Sequence, residues 1–258
     1  MNDFYDSNAD IAGTWHGSGS GTPVVLLHSL AMDRRMWTPS VLELFSAQRR
    51  LVVCDIPGHG ASPLAGSETI EAIADRVVTM MDGLGLDTAN IVGVSMGGCI
   101  AQAIAIHHGD RVHGLALVDT TSDYGDPAAW EKRARVARND GFAAMAEFQA
   151  SRWFSDGFRA SQPEQIDRLL DIFSGMDIDS YESICRAMGA VALSGSLGSI
   201  SAPTAVVVGD GDYATPVSHA EVLAALIPNA TLHVIAGSSH LTVLERPEEV
   251  FQAIEPVL

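Results

Sequence analysis

Asn90-Ile91-Val92-Gly93-Val94-Ser95-Met96-Gly97-Gly98 runs from a β-branched apolar segment, through a glycine-flanked serine, into a stretch of helical periodicity. The apolar part is short and continuous, as a strand buried on both faces is. The periodic part, 96–107, reads as a helix. Between them lies a G-x-S-x-G pentapeptide, Gly93 to Gly97. In a strand–turn–helix setting this pattern places a serine on a sharp, strained bend with its hydroxyl presented outward. Glycines on either side let neighbouring backbone come close. The helix N-terminus favours negative charge developing beside the serine. Glycine-rich turns produce the same pentapeptide by chance, so the flanks, rather than the pentapeptide, make Ser95 the candidate nucleophile.

Similar apolar runs lie on both sides of it. They occupy 24–27, 51–54, 115–118, 205–208 and 232–235. Helical periodicity fills gaps at 70–81, 217–226 and 248–254. Pro247 suits a first helical turn, and Glu248 and Glu249 complement the dipole there. Strands alternating with helices predict an α/β fold with a mostly parallel sheet covered on both faces. The alternation stops between 121 and 199, where helical patterns recur at 127–139, 142–151, 163–173 and 181–193 without a strand. The expected organisation is a core formed by 1–120 and 200–258, with 121–199 as an inserted helical cap. No internal repeat or low-complexity tract interrupts it.

A serine hydroxyl attacks only when a base takes its proton. In folds that use this turn, the partners follow in the order Ser, then Asp or Glu, then His. Of nine histidines, only His240 lies in a loop after the last apolar run, within Gly237-Ser238-Ser239-His240. The acid must orient the imidazole and stabilise its cation. Asp212, in Gly209-Asp210-Gly211-Asp212 just after the 205–208 run, is the preferred candidate. Asp210 reads as a turn cap. Asp119, ending the 115–118 run, stays a competitor. Two backbone N–H donors are needed for the developing oxyanion. Met96, directly after the serine, supplies one, and Leu30, in the loop after the first run, is expected to supply the other.

Bulk properties narrow the classes. A chain of 258 residues, 47% hydrophobic, can bury a substantial core. A net charge of −17 repels nucleic acid and anionic lipid, so neither is an expected partner. No apolar run reaches the roughly 20 residues of a membrane helix. The polar, acidic first ten residues do not read as a signal peptide, so a cytoplasmic protein is expected. Cys54, Cys99 and Cys185 are odd in number and scattered, which fits reduced core thiols.

Gly58-His59-Gly60-Ala61-Ser62, Gly93-Val94-Ser95-Met96-Gly97-Gly98 and the loops carrying Asp212 and His240 resemble the α/β-hydrolase superfamily. Within it the chain is similar to the 3-oxoadipate enol-lactonases. That likeness lies in Ser29-Leu30-Ala31-Met32-Asp33 leading to Met36-Trp37, in Trp130-Glu131-Lys132-Arg133 with Arg138, in Gly141-Phe142, in Arg152-Trp153-Phe154, and in Tyr181 to Ala187. Ala31 departs from the family, which commonly carries glycine there. The resemblance implies a serine hydrolase that opens a lactone or ester through an acyl-enzyme on Ser95, His240 and Asp212. It implies no metal or organic cofactor, and a small-molecule substrate, with a homodimer left open. A carboxylesterase, a C–C bond hydrolase, and a ligand receptor on the same scaffold are the alternatives. Of only 15 Lys and Arg residues, five fall between 132 and 152. That local surplus suits a substrate carboxylate. Arg133 and Arg152, inside family-like motifs, are the expected contacts. Trp153 is expected to wall the pocket, whereas Trp37 reads as core.

Overall fold

In the computed structural model, which describes residues 2–64, 66 and 68–258, the apolar runs become the middle of one eight-stranded sheet. The strands are β1 (Asn2–Asp6), β2 (Ile11–His16), β3 (Val24–Leu27), β4 (Leu51–Cys54), β5 (Ala89–Val94), β6 (Val112–Val118), β7 (Thr204–Gly209) and β8 (Ala230–Ile235). Their order across the sheet is β1-β2-β4-β3-β5-β6-β7-β8. From β4 to β8 every pairing is parallel, while β1 and β2 join antiparallel. Every residue of β3, β4, β5 and β7 is buried. Continuous burial along a strand requires cover on both faces, which explains why these segments read as apolar runs without alternation.

Helices α1 (Pro39–Ser46), α2 (Ile70–Gly83), α3 (Met96–His107), α9 (Val217–Leu226), α10 (Thr242–Glu245) and α11 (Pro247–Ile254) belong to the sheet-forming part of the chain. α2 packs on α3, and α1 on α11. Between β6 and β7 come α4 (Pro127–Asp140), α5 (Ala146–Trp153), α6 (Asp156–Ser161), α7 (Pro163–Ser174) and α8 (Ile178–Gly189). Their limits follow local chemistry. Asp126 caps α4 by accepting the Ala129 N–H, Pro127 opens it, and Gly141 at φ +76° ends it. Asp177 caps α8 in the same way through the Ser180 N–H. α4 lies along α8, and Arg138 of α4 binds Asp179 and Glu182 of α8 across that contact. Phe142, Phe173 and Tyr181 stack edge to face beneath them, with centroids 5.0 to 6.4 Å apart.

Ser95, Asp119 and Asp212 all follow C-terminal ends of central parallel strands, and His240 follows β8. In open α/β sheets this rim is where ligands bind. Cys54, Cys99 and Cys185 are all buried free thiols. No helix among the described residues is long and apolar enough to cross a membrane.

Candidate active site

The turn at Ser95 has the strain its sequence implies. Ser95 sits at φ +54° and ψ −113°, between β5 and the first residue of α3. Neighbouring backbone holds it there. Its N–H donates to the Val118 carbonyl at 2.9 Å, and its own carbonyl accepts from Gly98 N–H at 2.9 Å and from the Thr120 hydroxyl at 2.7 Å. A Cβ on Gly93 would lie 2.2 Å from the Gly97 carbonyl oxygen. One on Gly97 would lie 2.3 Å from the Leu27 carbonyl oxygen. Only glycine lets α3 start this close to β3 and β5.

The chain's distant segments meet at that hydroxyl. His240 Nε2 lies 2.9 Å from Ser95 Oγ, and His240 Nδ1 lies 2.8 Å from Asp212 Oδ2. All three residues are buried. Asp212 also accepts from Ala214 N–H at 2.8 Å, Thr215 N–H at 3.0 Å and the Thr215 hydroxyl at 2.7 Å. Burial alone would raise its pKa. The His240 charge and these hydrogen bonds outweigh burial and hold the carboxyl below the usual aspartate range. Asp212 therefore stays anionic, oriented to keep the histidine proton on Nδ1 and Nε2 free to accept from serine.

Asp119 does not touch His240. It sits at φ +48° and accepts from Gly209 N–H at 3.2 Å, Thr242 N–H at 2.8 Å and the Thr242 hydroxyl at 2.9 Å. It ties the end of β6 to the end of β7 and to the segment after His240. Burial, then the neighbouring Asp212 charge, push its pKa well above the normal value. Asp210 accepts the Gly237 N–H at 2.8 Å, as a turn-capping residue does.

Met96 opens α3, so its N–H has no acceptor within the helix. The Leu30 N–H is not engaged by any described residue, whereas the Ala31 N–H donates to His59 Nε2 at 3.1 Å. Ala31 holds φ +59°, the left-handed region that glycine enters at less cost. This is the position where the enol-lactonases commonly carry glycine. A second ring clamps the same loop: His28 Nε2 accepts the Ile56 N–H at 2.9 Å, and its Nδ1 faces the Ser29 carbonyl at 2.8 Å. Each ring must be neutral to accept at Nε2 while donating at Nδ1.

Burial is the first cause that lowers both histidines, His28 to about 4 and His59 to about 3, from 6.5. Between those values and 6.5 the unfolded chain binds more protons than the folded one, so this contribution to stability rises with pH. It is complete above about pH 6.5 and is lost as the pH falls towards the folded values. Each ring accounts for about 2 kcal/mol between pH 7 and pH 5. Asp119 acts in the opposite sense, so a difference isolates the histidine share. Urea unfolding of His59→Gln beside the wild type is expected to lose about 2 kcal/mol less over that interval. Equal losses would mean that the His59 ring is not buried neutral.

The inserted helices approach this rim with unmatched positive charge. Of the five cations between 132 and 152, Arg135 pairs with Glu131, and Arg138 with Asp179 and Glu182. Lys132, Arg133 and Arg152 line a cavity of about 510 Å³, with Tyr124, Trp130, Val136, Met145 and Phe148 among its walls. Arg133 donates to the Tyr181 hydroxyl at 2.6 Å and packs over the Trp130 and Tyr181 rings. Among the described residues no carboxylate pairs with Arg133 or Arg152. Burial first, and then Arg133, lower the Arg152 pKa. A second cavity, about 860 Å³, lies against Ala31, Asp33, Arg35, Asp55 and His59. Two ion pairs face it: Asp33 pairs with Arg35, and Asp55 with Arg34.

Trp153, expected as a pocket wall, is only 3% exposed. Its ring packs edge-on against Phe154 and Phe173, and it is not among the residues lining the 510 Å³ cavity. Its backbone carbonyl accepts the Leu241 N–H instead. Trp37 is buried beside Phe45, as core. Tyr124 was not foreseen. It lines the cavity, stacks edge-on to Trp130 at 5.0 Å, and lies near enough to Ser95 and Cys99 to interact with both electrostatically. Its only sequence signal is its place just after β6, at the entrance to the insertion.

A parallel sheet, a strained serine after β5 and a histidine loop after β8 define an α/β hydrolase. The sequence matches the α/β hydrolase fold family over residues 22–151, and the chain belongs to that family. It is 30% identical to 3-oxoadipate enol-lactonase 2 of Acinetobacter baylyi over 244 residues, 94% of this chain and 90% of that protein. Its fold superposes on the enol-lactonase of Burkholderia xenovorans LB400 with a TM-score of 0.91 at 31% identity, covering 96% of this chain and 95% of the other. A malate-bound thermophilic esterase from Thermogutta terrifontis gives a TM-score of 0.87 at 32% identity, covering 95% and 92%.

Proposed function

We propose that this chain is a Ser-His-Asp hydrolase that opens a small carboxylate-bearing lactone or ester, in the manner of a 3-oxoadipate enol-lactonase. The observation that carries the chemistry is the continuous relay from Ser95 Oγ through His240 to Asp212, at 2.9 and 2.8 Å. His240 Nε2 takes the serine proton as Oγ attacks the carbonyl carbon. The oxyanion forms beside the Met96 and Leu30 N–H groups. As the tetrahedral adduct collapses, His240 returns the proton to the leaving enol or alcohol oxygen. Water, deprotonated by the same ring, then releases the acid and regenerates Ser95. An enol that leaves in this way tautomerises to a ketone, which draws ring opening forward.

The substrate reading rests on Arg133 and Arg152, two cations without a carboxylate partner in a mostly apolar cavity. An anion there recovers charge-assisted hydrogen bonds in a site partly withdrawn from water. Tyr124 lines this cavity and lies in electrostatic reach of Ser95, which supports a carboxylate held by the arginines leaving the rest of a small substrate near the nucleophile. The relatives agree in kind: two act on an enol-lactone, and one holds malate, itself a dicarboxylate.

The test compares an anionic enol-lactone with neutral lactones of similar ring size. Wild type is expected to favour the anion. Arg152→Ala is expected to lower kcat/KM on the anion by about 10- to 100-fold, since hydrogen bonds to charged groups are worth about 1.5–3 kcal/mol. The neutral lactones should change by less than about 3-fold, within the effect of an ordinary surface substitution. Equal losses on both substrates would remove Arg152 from carboxylate recognition.

A further inference from the structure

Both residues that flank His240 are linked to the inserted helices, Leu241 directly and Ser239 through Glu245 of α10. On one side, Leu241 N–H donates to the Trp153 carbonyl at 2.9 Å. On the other, Ser239 N–H donates to Glu245 Oε1 at 2.7 Å. The second oxygen of the same carboxylate accepts the Ser155 N–H at 3.1 Å and the Ser155 hydroxyl at 2.5 Å. Glu245 ends the short helix α10 and is only 6% exposed. No basic side chain pairs with it among the described residues. Its three hydrogen bonds join the His240 loop to the α5–α6 junction.

A helix-ending glutamate normally faces solvent. Burying one without a cation is costly unless hydrogen bonds satisfy it. Here three donors do so, and they come from two parts of the chain 84 residues apart at their nearest bonded positions, Ser155 and Ser239. The core side of the loop has its own tether, Asp119 on Thr242. The His240 loop is thus held at Thr242 by Asp119, at the ring itself by Asp212, and at Ser239 by Glu245. Of these three carboxylates Glu245 alone reaches the inserted helices, beside the backbone bond from Leu241 to Trp153. Arg152 stands one residue before Trp153, in the last turn of α5. The same short segment therefore carries a cavity-lining arginine and the anchor of the base.

We infer that Glu245 is a positioning residue: its carboxylate clasps Ser155 and Ser239 so that the inserted helices set the place of His240 against Ser95. The inference rests on the hydrolase reading above. Small displacements of a base cost far more in turnover than in binding, about 100-fold for roughly 1 Å. Loss of the clasp should therefore fall on kcat.

The test measures kcat and KM on p-nitrophenyl acetate for wild type, Ser95→Ala, Glu245→Ala, Glu245→Gln and Ser155→Ala. A wild type that turns over and a Ser95→Ala that does not establish the hydrolase reading independently. Glu245→Ala is then expected to lose about 10- to 100-fold in kcat, with KM within about 3-fold. Glu245→Gln keeps an acceptor for the Ser239 N–H and a donor for the Ser155 oxygen but sets its NH₂ against the Ser155 N–H, so it should restore kcat only to within about 10-fold of wild type. Ser155→Ala, which removes the hydroxyl bond to the clasp and leaves the backbone N–H bond, should lower kcat by about 3- to 10-fold. Unchanged kcat in Glu245→Ala, or a loss expressed entirely in KM, overturns the inference. If Glu245→Ala does not fold, Ser155→Ala and Glu245→Gln decide: wild-type kcat in the first, or a loss above about 10-fold in the second, overturns it equally.

Discussion

Ser95→Ala is expected to lower steady hydrolysis of a p-nitrophenyl ester by about 10⁶-fold, the scale on which serine relays of this kind depend on their nucleophile. The residual rate should exceed the uncatalysed one by about 10³-fold, because the oxyanion donors and binding contacts remain. The fold should persist. Alanine meets the same backbone cost at φ +54° as serine, and the Val118, Gly98 and Thr120 contacts use only the backbone of residue 95. The substitution removes one hydrogen bond, to His240, worth about 1 kcal/mol. Circular dichroism and thermal unfolding check that part, and stopped-flow hydrolysis checks the first. Wild-type turnover in a folded Ser95→Ala would end the serine mechanism. Wild-type protein that binds a lactone stoichiometrically yet barely turns over would instead favour the receptor alternative.

The sheet was legible because its central strands are buried on both faces. Such strands carry uninterrupted Val, Leu and Ile runs, and 24–27 and 51–54 coincide with β3 and β4 to the residue. β6 begins three residues before its apolar run, at Val112, because His113 points to solvent and breaks the pattern. The antiparallel pair β1 and β2 was not legible. β1 is a mostly exposed edge strand of sequence Asn-Asp-Phe-Tyr-Asp, and β2 carries Gly13 because Phe4 occupies the space of a side chain there. The order of Ser95, Asp212 and His240 along the chain was enough to nominate three residues that the fold brings within hydrogen-bond distance. Sequence spacing did not separate Asp212 from Asp119, since both follow strand ends. Glu245 and Tyr124 left no trace in any motif. Their contacts join segments far apart in sequence, and only the folded chain brings those segments together.

Asp212→Asn against Asp119→Asn separates the two carboxylates. Asp212 presents one oxygen to the Ala214 and Thr215 N–H groups and the other to His240 Nδ1. An asparagine keeps its carbonyl on the two N–H donors and turns its NH₂ towards the ring. The histidine proton must then leave Nδ1 for Nε2, where it faces Ser95 and blocks proton transfer. That tautomer error is expected to cost about 10⁴-fold in kcat with little change in structure. Asp119→Asn meets different demands. Its partners are the Thr242 and Gly209 N–H groups and the Thr242 hydroxyl, which also lies 2.8 Å from the Ser239 carbonyl. One hydroxyl proton cannot serve both acceptors. An amide at 119 can donate to the Thr242 oxygen and leave its proton for Ser239, at the expense of the Gly209 N–H bond to the same position. A protonated Asp119 donates there while still accepting from Gly209, in keeping with its raised pKa. Asparagine also tolerates the left-handed backbone at that position. Asp119→Asn should therefore retain kcat within about 10-fold, since it disturbs a tether of the His240 loop and not the ring's proton. Steady-state kinetics on one ester for both variants is sufficient. A loss of about 10⁴-fold in Asp119→Asn with a near-normal Asp212→Asn would move the acid of the relay from the β7 loop to the end of β6.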